Sequence, residues 1–96
     1  MKREAYIYIL TNAENRVLYV GVTSDLTKRI QQHKKGIFKN AFTSKYKVNK
    51  LVYFELFQDI NDAIAREKQL KAGSRQKKID LINRLNPEWT DLMIKE

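Results

Sequence analysis

The chain has 96 residues with no cysteine, 43% of them hydrophobic, and its formal net charge at pH 7 is +8. A chain of this length forms one domain that buries about two thirds of its unfolded surface, so we expect a single domain over residues 1–96. The absence of cysteine excludes disulfides, thiolate metal sites and a cysteine nucleophile.

No apolar run approaches the roughly 20 residues that a membrane-spanning helix requires. The first four residues lead directly into a strand pattern, whereas a signal peptide would place an apolar run after its basic residues. We therefore expect a cytoplasmic protein that does not contact a membrane.

The positive charge is concentrated in one central block. Between Leu26 and Phe54 there is no Asp or Glu, whereas the rest of the chain is neutral. Lys and Arg side chains displace condensed counterions from phosphate, so such a block favours binding to a polyanion. The alternative is that these charges only keep the surface soluble. The lysines of the block predicted to contact nucleic acid are Lys28, Lys34, Lys35, Lys39, Lys45 and Lys47.

The first two elements are predicted to form a β-hairpin. Residues 5–10 are mostly β-branched or aromatic, which favours a buried strand. Turn-forming residues occupy positions 12–15, and residues 17–20 return as a second strand. Gly21 then permits either a close approach of the backbone to a ligand or a tight turn into the next element.

Tyrosines share one face of this hairpin. Side chains alternate between the two faces of a strand, so Tyr6 and Tyr8 point away from Ile7 and Ile9. Because isoleucine is the better core residue, we expect the tyrosines to line an exposed or cleft-facing surface; the alternative is that they are half-buried packing residues, as tyrosines on a sheet more often are. Tyr19, from the paired strand, is expected close to them.

A helix is predicted to follow the hairpin directly. Thr23 or Ser24 is the expected N-cap, and Asp25 would then lie in the first turn, where a carboxylate complements the helix dipole. Gly36 is the expected end of the helix, because glycine readily adopts the left-handed conformation found there.

Arg29 and His33 are four residues apart and therefore neighbours on this helix. Their face lies beside the apolar stripe of Leu26 and Ile30, so both side chains are expected at the rim of the core, near the tyrosines. Arginine binds phosphate through its bidentate fork, and histidine moves protons near neutral pH. The alternative for His33 is a surface residue without a task.

The remaining elements complete a small α+β domain. Residues 37–47 are predicted to be a loop, and residues 51–57 give the strongest strand signal. A helix over residues 61–72 and another from Ser74 to about residue 85 follow, with one more short helix within residues 88–95. The order ββαβαα predicts a three-stranded antiparallel sheet flanked by helices.

Glu67 stands out on the second long helix. Its position falls in the apolar stripe that runs from Ile60 to Leu70, where a hydrophobic residue is expected. Burying an unpaired carboxylate costs several kcal/mol, so Glu67 needs a cation or hydrogen-bond partner. A mostly hydrated Mg²⁺ is one possibility, and a salt bridge to Arg66 or Lys71 is the other.

Two short tyrosine motifs stand ten residues apart, Tyr-Ile-Tyr at positions 6–8 and Tyr-Val-Gly at positions 19–21. Together with Arg29, His33 and Glu67, they make the sequence resemble the GIY-YIG nuclease family. Two later segments, Ala-Arg-Glu-Lys-Gln-Leu-Lys from position 65 and Asn-Pro-Glu-Trp from position 86, are similar to its small stand-alone bacterial members. Those members are related to the N-terminal nuclease domain of excinuclease C.

The resemblance implies a Mg²⁺- or Mn²⁺-dependent endonuclease that hydrolyses DNA phosphodiester bonds in repair or processing. Tyr8 and Tyr19 would be the tyrosines of the two motifs, and one of them, with His33, would help to deprotonate the attacking water. Arg29 would stabilise the developing phosphoryl charge. Glu67 would bind the metal, which stabilises the leaving oxygen.

The sequence departs from the family pattern in three places. Tyr6 begins the first motif where the family name has glycine. Val22 stands where some relatives have a lysine, so one phosphate contact is missing. The family often has a late asparagine near the metal, and Asn83 and Asn86 are both candidates.

Two alternatives to a nuclease stay open. One is a nucleic-acid-binding module of the same fold with little or no turnover, which the basic block and the missing lysine at position 22 favour. The other is a structural or protein-interaction domain. The substrate is expected to be DNA, with RNA possible, and strong sequence specificity would require a homodimer or a protein partner.

Overall fold

The structure is a computed structural model that describes residues 3–37 and 41–93. Within those residues a hairpin is followed by two helices, a third strand and two further helices. In chain order the elements are β1 (Ala5–Thr11), β2 (Leu18–Thr23), α1 (Leu26–Lys35), α2 (Phe42–Lys45), β3 (Lys50–Phe57), α3 (Ile60–Ala72) and α4 (Arg75–Leu85).

The three strands form one antiparallel sheet in the order β2-β1-β3, with β1 at the centre. Tyr8 on β1 is paired with Gly21 on one side and with Phe54 on the other. A bulge between Ile9 and Leu10 shifts the pairing with β3 by one residue, which bends and twists the strand locally. The predicted α+β class and the three-stranded antiparallel sheet are therefore confirmed.

Helices cover both faces of the sheet. On one face Ile7 and Ile9 pack with Ala63 and Leu70 of α3 and with Ile82 of α4. This face forms the larger core, as the strand alternation predicts, because the isoleucines point into it.

The opposite face carries Tyr8, and here the sequence prediction was wrong. Tyr8 and Leu10 pack against Leu26 and Ile30 of α1, and Tyr8 is 0% exposed. The apolar stripe of α1 closes over the strand, so the Tyr8 side chain is a buried core group rather than part of an open surface.

The ends of α1 show one correct and one incorrect expectation. Asp25, rather than Thr23 or Ser24, is the N-cap, since its side chain accepts from the Lys28 backbone N–H. The Thr23 hydroxyl instead accepts from the Asp25 N–H at 3.1 Å. Gly36 ends the helix in the left-handed conformation, with φ 67°, as predicted.

Two other predicted elements need correction. The segment expected to be a loop contains the short helix α2, while positions 38–40 lie outside the described residues. The short helix expected within residues 88–95 is absent from its described part, where residues 88–93 form turns and irregular chain. Among the helices of the described chain, none is long and apolar enough to cross a bilayer.

A buried asparagine attaches the C-terminal segment to β3. The Asn86 amide nitrogen donates to the carbonyls of Val52 (3.0 Å) and Thr90 (2.9 Å). Its oxygen accepts from the Thr90 backbone N–H and hydroxyl, at 3.1 and 3.0 Å. Asn83, the other late asparagine, accepts from the Trp89 indole N–H at 2.7 Å. Both amides therefore have structural partners in the C-terminal segment.

We expect Asn86→Ala to lower the free energy of unfolding by about 2–3 kcal/mol, because the Val52 carbonyl and the Thr90 groups lose their buried partner. Urea unfolding monitored by circular dichroism measures this change. Asn83→Ala is the matched control, since its side chain is exposed, and we expect a loss below about 1 kcal/mol. Equal losses in the two variants would contradict the structural role of Asn86.

Candidate active site

Three side chains from three elements form a hydrogen-bonded chain. The Tyr8 hydroxyl lies 3.2 Å from His33 Nε2, and His33 Nδ1 lies 3.1 Å from the Thr43 hydroxyl. All three residues are buried. With its proton on Nδ1, a neutral imidazole donates to Thr43 and accepts from Tyr8 through Nε2. The arrangement therefore connects the phenol to a proton acceptor.

Gly21 determines where the Tyr8 ring lies. A Cβ atom built on Gly21 would approach Cζ and the hydroxyl oxygen of Tyr8 to 2.4 Å. No side chain other than hydrogen leaves room for the ring, and the two residues are directly paired in the sheet. The space that we expected Gly21 to open for a ligand or a tight turn is therefore filled by Tyr8.

Tyr19 completes an aromatic group around the histidine. Its ring centroid lies 6.4 Å from that of Tyr8 and 5.9 Å from that of His33. The Phe42 ring stacks on its other side at 6.5 Å. The expected proximity of Tyr19 to Tyr8 is thus observed, and Tyr19 is only partly buried.

Arg29 lies at a surface pocket that adjoins this buried group of side chains. A pocket of about 220 Å³ is lined by Arg29, His33 and Tyr19 from one side and by residues 41–43 from the other. The placement of Arg29 and His33 at the rim of the core, beside the tyrosines, agrees with the helix spacing. A guanidinium at such a pocket can bind a phosphate oxygen pair through its fork of donors.

Burial shifts the proton affinities of the two hydrogen-bonded groups in opposite directions. Burial raises the pKa of Tyr8 to about 12. Hydrogen bonding by Arg29 lowers this pKa, whereas electrostatic interaction with Tyr19 and Glu67 raises it further. Burial and the positive charge of Arg29 lower the pKa of His33. At neutral pH Tyr8 is therefore a phenol and His33 a neutral imidazole. The influence of Glu67 on Tyr8 also identifies its carboxylate as part of the electrostatic surroundings of the site.

Glu67 has one salt-bridge partner among the described residues. Its side chain is 17% exposed, and Oε2 lies 3.3 Å from Nζ of Lys71, whose own side chain is 51% exposed. Arg66, the other expected partner, is engaged by Glu55, to which it donates from Nε at 3.0 Å and from Nη2 at 3.1 Å. Lys71 is therefore the cation of the salt-bridge alternative.

The residues present fit a metal that is held mainly by water and substrate. In residues 3–37 and 41–93 no three His, Asp or Glu side chains cluster as a metal site, so an ion enclosed by protein ligands does not fit. A single partly buried carboxylate whose charge acts on Tyr8 does suit Mg²⁺, which retains several waters and uses one or two carboxylates. Glu67 is the residue that would hold it.

The predicted nucleic-acid contacts differ in how free their ammonium groups are. Lys34 donates to the Asn49 carbonyl at 3.0 Å and pairs with Asp91. Lys39 lies outside the described residues. The other four members of the set are exposed, and they are Lys28, Lys35, Lys45 and Lys47.

Two residues of the site were not found by sequence reasoning. Thr43 and Phe42 lie on α2, in the segment predicted to be a loop. Phe42 and Tyr46 are four residues apart, which was the available signal for a helical turn with one aromatic face. Thr43 gave no signal, because a threonine in a loop has no distinguishing pattern.

The three-stranded antiparallel sheet with its flanking helices is the fold of a nuclease-type domain. The chain belongs to the GIY-YIG family, since the family model described as the GIY-YIG catalytic domain matches residues 4–80.

Small relatives match over most of their length. A UPF0213 protein of Syntrophus aciditrophicus is 36% identical over 83 residues, which are 86% of this chain and 93% of the relative. A UPF0213 protein of Pediococcus pentosaceus is 34% identical over 87 residues, 91% of this chain and 90% of the relative. The solution NMR structure of a UPF0213 protein from Bacillus halodurans superposes with a TM-score of 0.58 at 28% identity, covering 94% of both chains.

Replacing Gly21 by alanine should displace the Tyr8 ring, because the new methyl group would overlap its phenol. We expect a loss of about 1–3 kcal/mol in the free energy of unfolding and a weaker contact of Tyr8 with His33. Gly73→Ala is the matched control, since its φ is −76° and a Cβ there meets nothing closer than the Gln69 carbonyl oxygen, at 3.4 Å. Chemical denaturation should find the control unchanged or slightly stabilised, and equal losses would refute the steric role of Gly21.

The protein should become less stable as the pH falls below 6.5. His33 is the only histidine and its folded pKa is lowered, so above 6.5 it is neutral in both states. In the pH range between 6.5 and the pKa of His33 in the folded protein, the unfolded chain binds a proton at His33 and the folded protein does not. Protonation therefore favours the unfolded state and lowers the free energy of unfolding. Urea titrations at several pH values should show this slope in the wild type and a smaller one in His33→Gln. Identical slopes would mean that His33 titrates normally.

Proposed function

We propose that the protein is a metal-dependent endonuclease that hydrolyses DNA phosphodiester bonds. The observation that carries the proposal is the buried Tyr8–His33 hydrogen bond of 3.2 Å next to the pocket that Arg29 lines. A proton-transfer pair and a phosphate-binding group thus adjoin one another. Membership in a nuclease-type family supports a nucleic acid as the substrate.

Arg29 and Tyr19 bind and orient the phosphate in this proposal. The guanidinium pairs with two phosphate oxygens and stabilises the charge that develops on them in the transition state. The Tyr19 hydroxyl, from the same pocket wall, donates to a phosphate oxygen. Phosphoryl transfer needs little covalent chemistry from the protein, so positioning and charge stabilisation account for most of the rate.

Tyr8 and His33 move the proton of the attacking water. With a pKa of about 12, Tyr8 does not ionise by itself at neutral pH. Its hydroxyl instead passes its proton to His33 Nε2 while its oxygen accepts a proton from the water. This water reaches the fully buried phenol when substrate binding opens the pocket lined by Tyr19 and His33. Thr43 holds the imidazole through Nδ1 at 3.1 Å, which keeps Nε2 directed at the phenol. The lowered pKa of His33 keeps the imidazole neutral at neutral pH, and in the tautomer with the proton on Nδ1 its Nε2 is the acceptor.

Glu67 would hold Mg²⁺ or Mn²⁺ in this proposal. When bound, the ion supplies stabilisation of the negative charge on the leaving oxygen. Lys71 forms an ion pair with the Glu67 carboxylate, and the Lys71 side chain is largely exposed. An exposed ion pair of this kind contributes little to stability. Its ammonium group can therefore leave the carboxylate at small cost.

The surroundings of the pocket suit a polyanion. The exposed Lys28, Lys35, Lys45 and Lys47 add positive charge without a nearby acid in their block, and we propose that they bind the DNA backbone. A role in DNA repair or processing and a cytoplasmic location belong to the same proposal, with RNA as a possible further substrate.

A binding module without turnover is the second candidate. The Glu67–Lys71 ion pair favours it, because it gives the carboxylate a partner other than a metal. The valine at position 22 favours it as well. DNA binding that depends steeply on salt, without cleavage in Mg²⁺ or Mn²⁺, would select this candidate.

Nicking of supercoiled plasmid in Mg²⁺ tests the nuclease. We expect Tyr8→Phe to slow nicking by about 10²–10⁴-fold, because it removes the hydroxyl that relays the proton. Glu67→Gln should slow it by on the order of a hundredfold or more and abolish its dependence on metal concentration. If both variants nick as fast as the wild type, the assigned site is wrong.

Two variants serve as controls for this test. Tyr53→Phe removes the hydroxyl of a second buried tyrosine, which donates to Glu55 on the other face of the sheet, and should leave nicking unchanged. Lys71→Ala removes the salt-bridge partner of Glu67. It should leave nicking equal or faster if Glu67 holds the metal, whereas a loss as large as that of Glu67→Gln would mean that the ion pair is what matters.

A further inference from the structure

A row of aromatic rings leads from the site to the protein surface. Phe42 stacks on Tyr19 with an interplanar angle of 24°, and the Tyr46 ring lies 4.8 Å from Phe42. The two outer rings are open to solvent, with Phe42 47% and Tyr46 46% exposed. The row thus begins beside His33 in the core and ends in water.

Phe42 and Tyr46, the two outer rings, are not part of the hydrophobic core. Neither belongs to the buried clusters on the two faces of the sheet, and large apolar groups kept in water mark binding surfaces. Phe42 also lines the same pocket as Arg29. Lys45 Nζ lies over the Tyr46 ring, 5.5 Å from its centre, so a cation already stands at one face of the outermost ring.

We propose that Phe42 and Tyr46 form a stacking platform for an unpaired DNA base whose neighbouring phosphate is bound by Arg29. The proposal rests on the proposed function and specifies its substrate, which is a single-stranded or locally unpaired strand. Aromatic faces bind any base by stacking, whatever its sequence. The arginine and the lysine provide the backbone charge contacts that accompany stacking in single-strand binding sites.

Duplex DNA does not fit this platform. In a duplex each base face is covered by the adjacent base pair, so a ring can stack only on a base that has left the helix. The two outer rings are about half exposed and tilted by 48° to each other, which gives room for one base. A protein partner would need an apolar area several times larger, because stable protein interfaces bury about 800 Å² on each side.

Binding without metal separates recognition from cleavage. In EDTA and low salt, a fluorescent 12-nucleotide single strand should bind at least about tenfold more tightly than the blunt duplex of the same sequence. Phe42→Ala/Tyr46→Ala should weaken single-strand binding by about 10- to 100-fold and leave duplex binding unchanged. A 2-aminopurine base in the strand should be quenched on binding to the wild type but not to this variant.

Two further variants make the result specific. Phe54→Ala removes another exposed aromatic side chain, 41% exposed on β3 and packed edge-on against Tyr6, and should bind the single strand like the wild type. Phe42→Leu keeps an apolar side chain against Tyr19, so this variant should remain folded. It should nevertheless lose the 2-aminopurine quenching, because leucine has no aromatic face. Circular dichroism confirms that each variant is folded.

The outcomes distinguish this inference from the proposed function. Equal binding of single strand and duplex, unaffected by the Phe42 and Tyr46 substitutions, would overturn the platform while leaving a duplex nuclease intact. A loss in Phe54→Ala as large as in the double variant would also overturn it. If the wild type binds neither DNA at low salt, the platform and the nuclease both fail.

Discussion

The contact between the Tyr8 ring and Gly21 is the constraint on which the site depends. The ring occupies the space where any other residue would have a Cβ, at 2.4 Å from its phenol, and α1 closes over it. Only in this position does the hydroxyl reach His33 Nε2. A packing requirement in the centre of the sheet therefore fixes the geometry of the hydrogen-bonded Tyr8–His33 pair, and core and candidate active site share the same side chain.

Burial also sets the chemical state of that pair. The buried phenol resists ionisation and the buried imidazole resists protonation, so the proton stays on Tyr8 until a reaction moves it. The same packing isolates a second network on the other face, where Glu55 engages Arg66 and Tyr53. Because Glu55 occupies Arg66, Glu67 is left with the exposed Lys71, and its carboxylate stays accessible to a cation.

Several features followed from local patterns in the sequence. Strand alternation separated the tyrosine face from the isoleucine face, and the four-residue spacing placed Arg29 and His33 together, because both depend only on fixed helix and strand periods. The glycine at position 36 ended α1 for an equally local reason. The helix around Phe42 was missed, since four residues are too few to show a period. The N-cap was misplaced by one or two residues, because three adjacent side chains can all serve as caps.

By itself the sequence determined the fold class, the order of the strands and the longer helices, the basic central block and the identity of the charged and aromatic residues available to a site. Only the tertiary structure decided that Tyr8 is buried, that Gly21 makes room for its ring and that Thr43 holds His33. These facts depend on which helix packs over which strand, and such contacts join residues ten to twenty-five positions apart. The exposure of a side chain and its proton affinity are properties of that packing, so no local pattern encodes them.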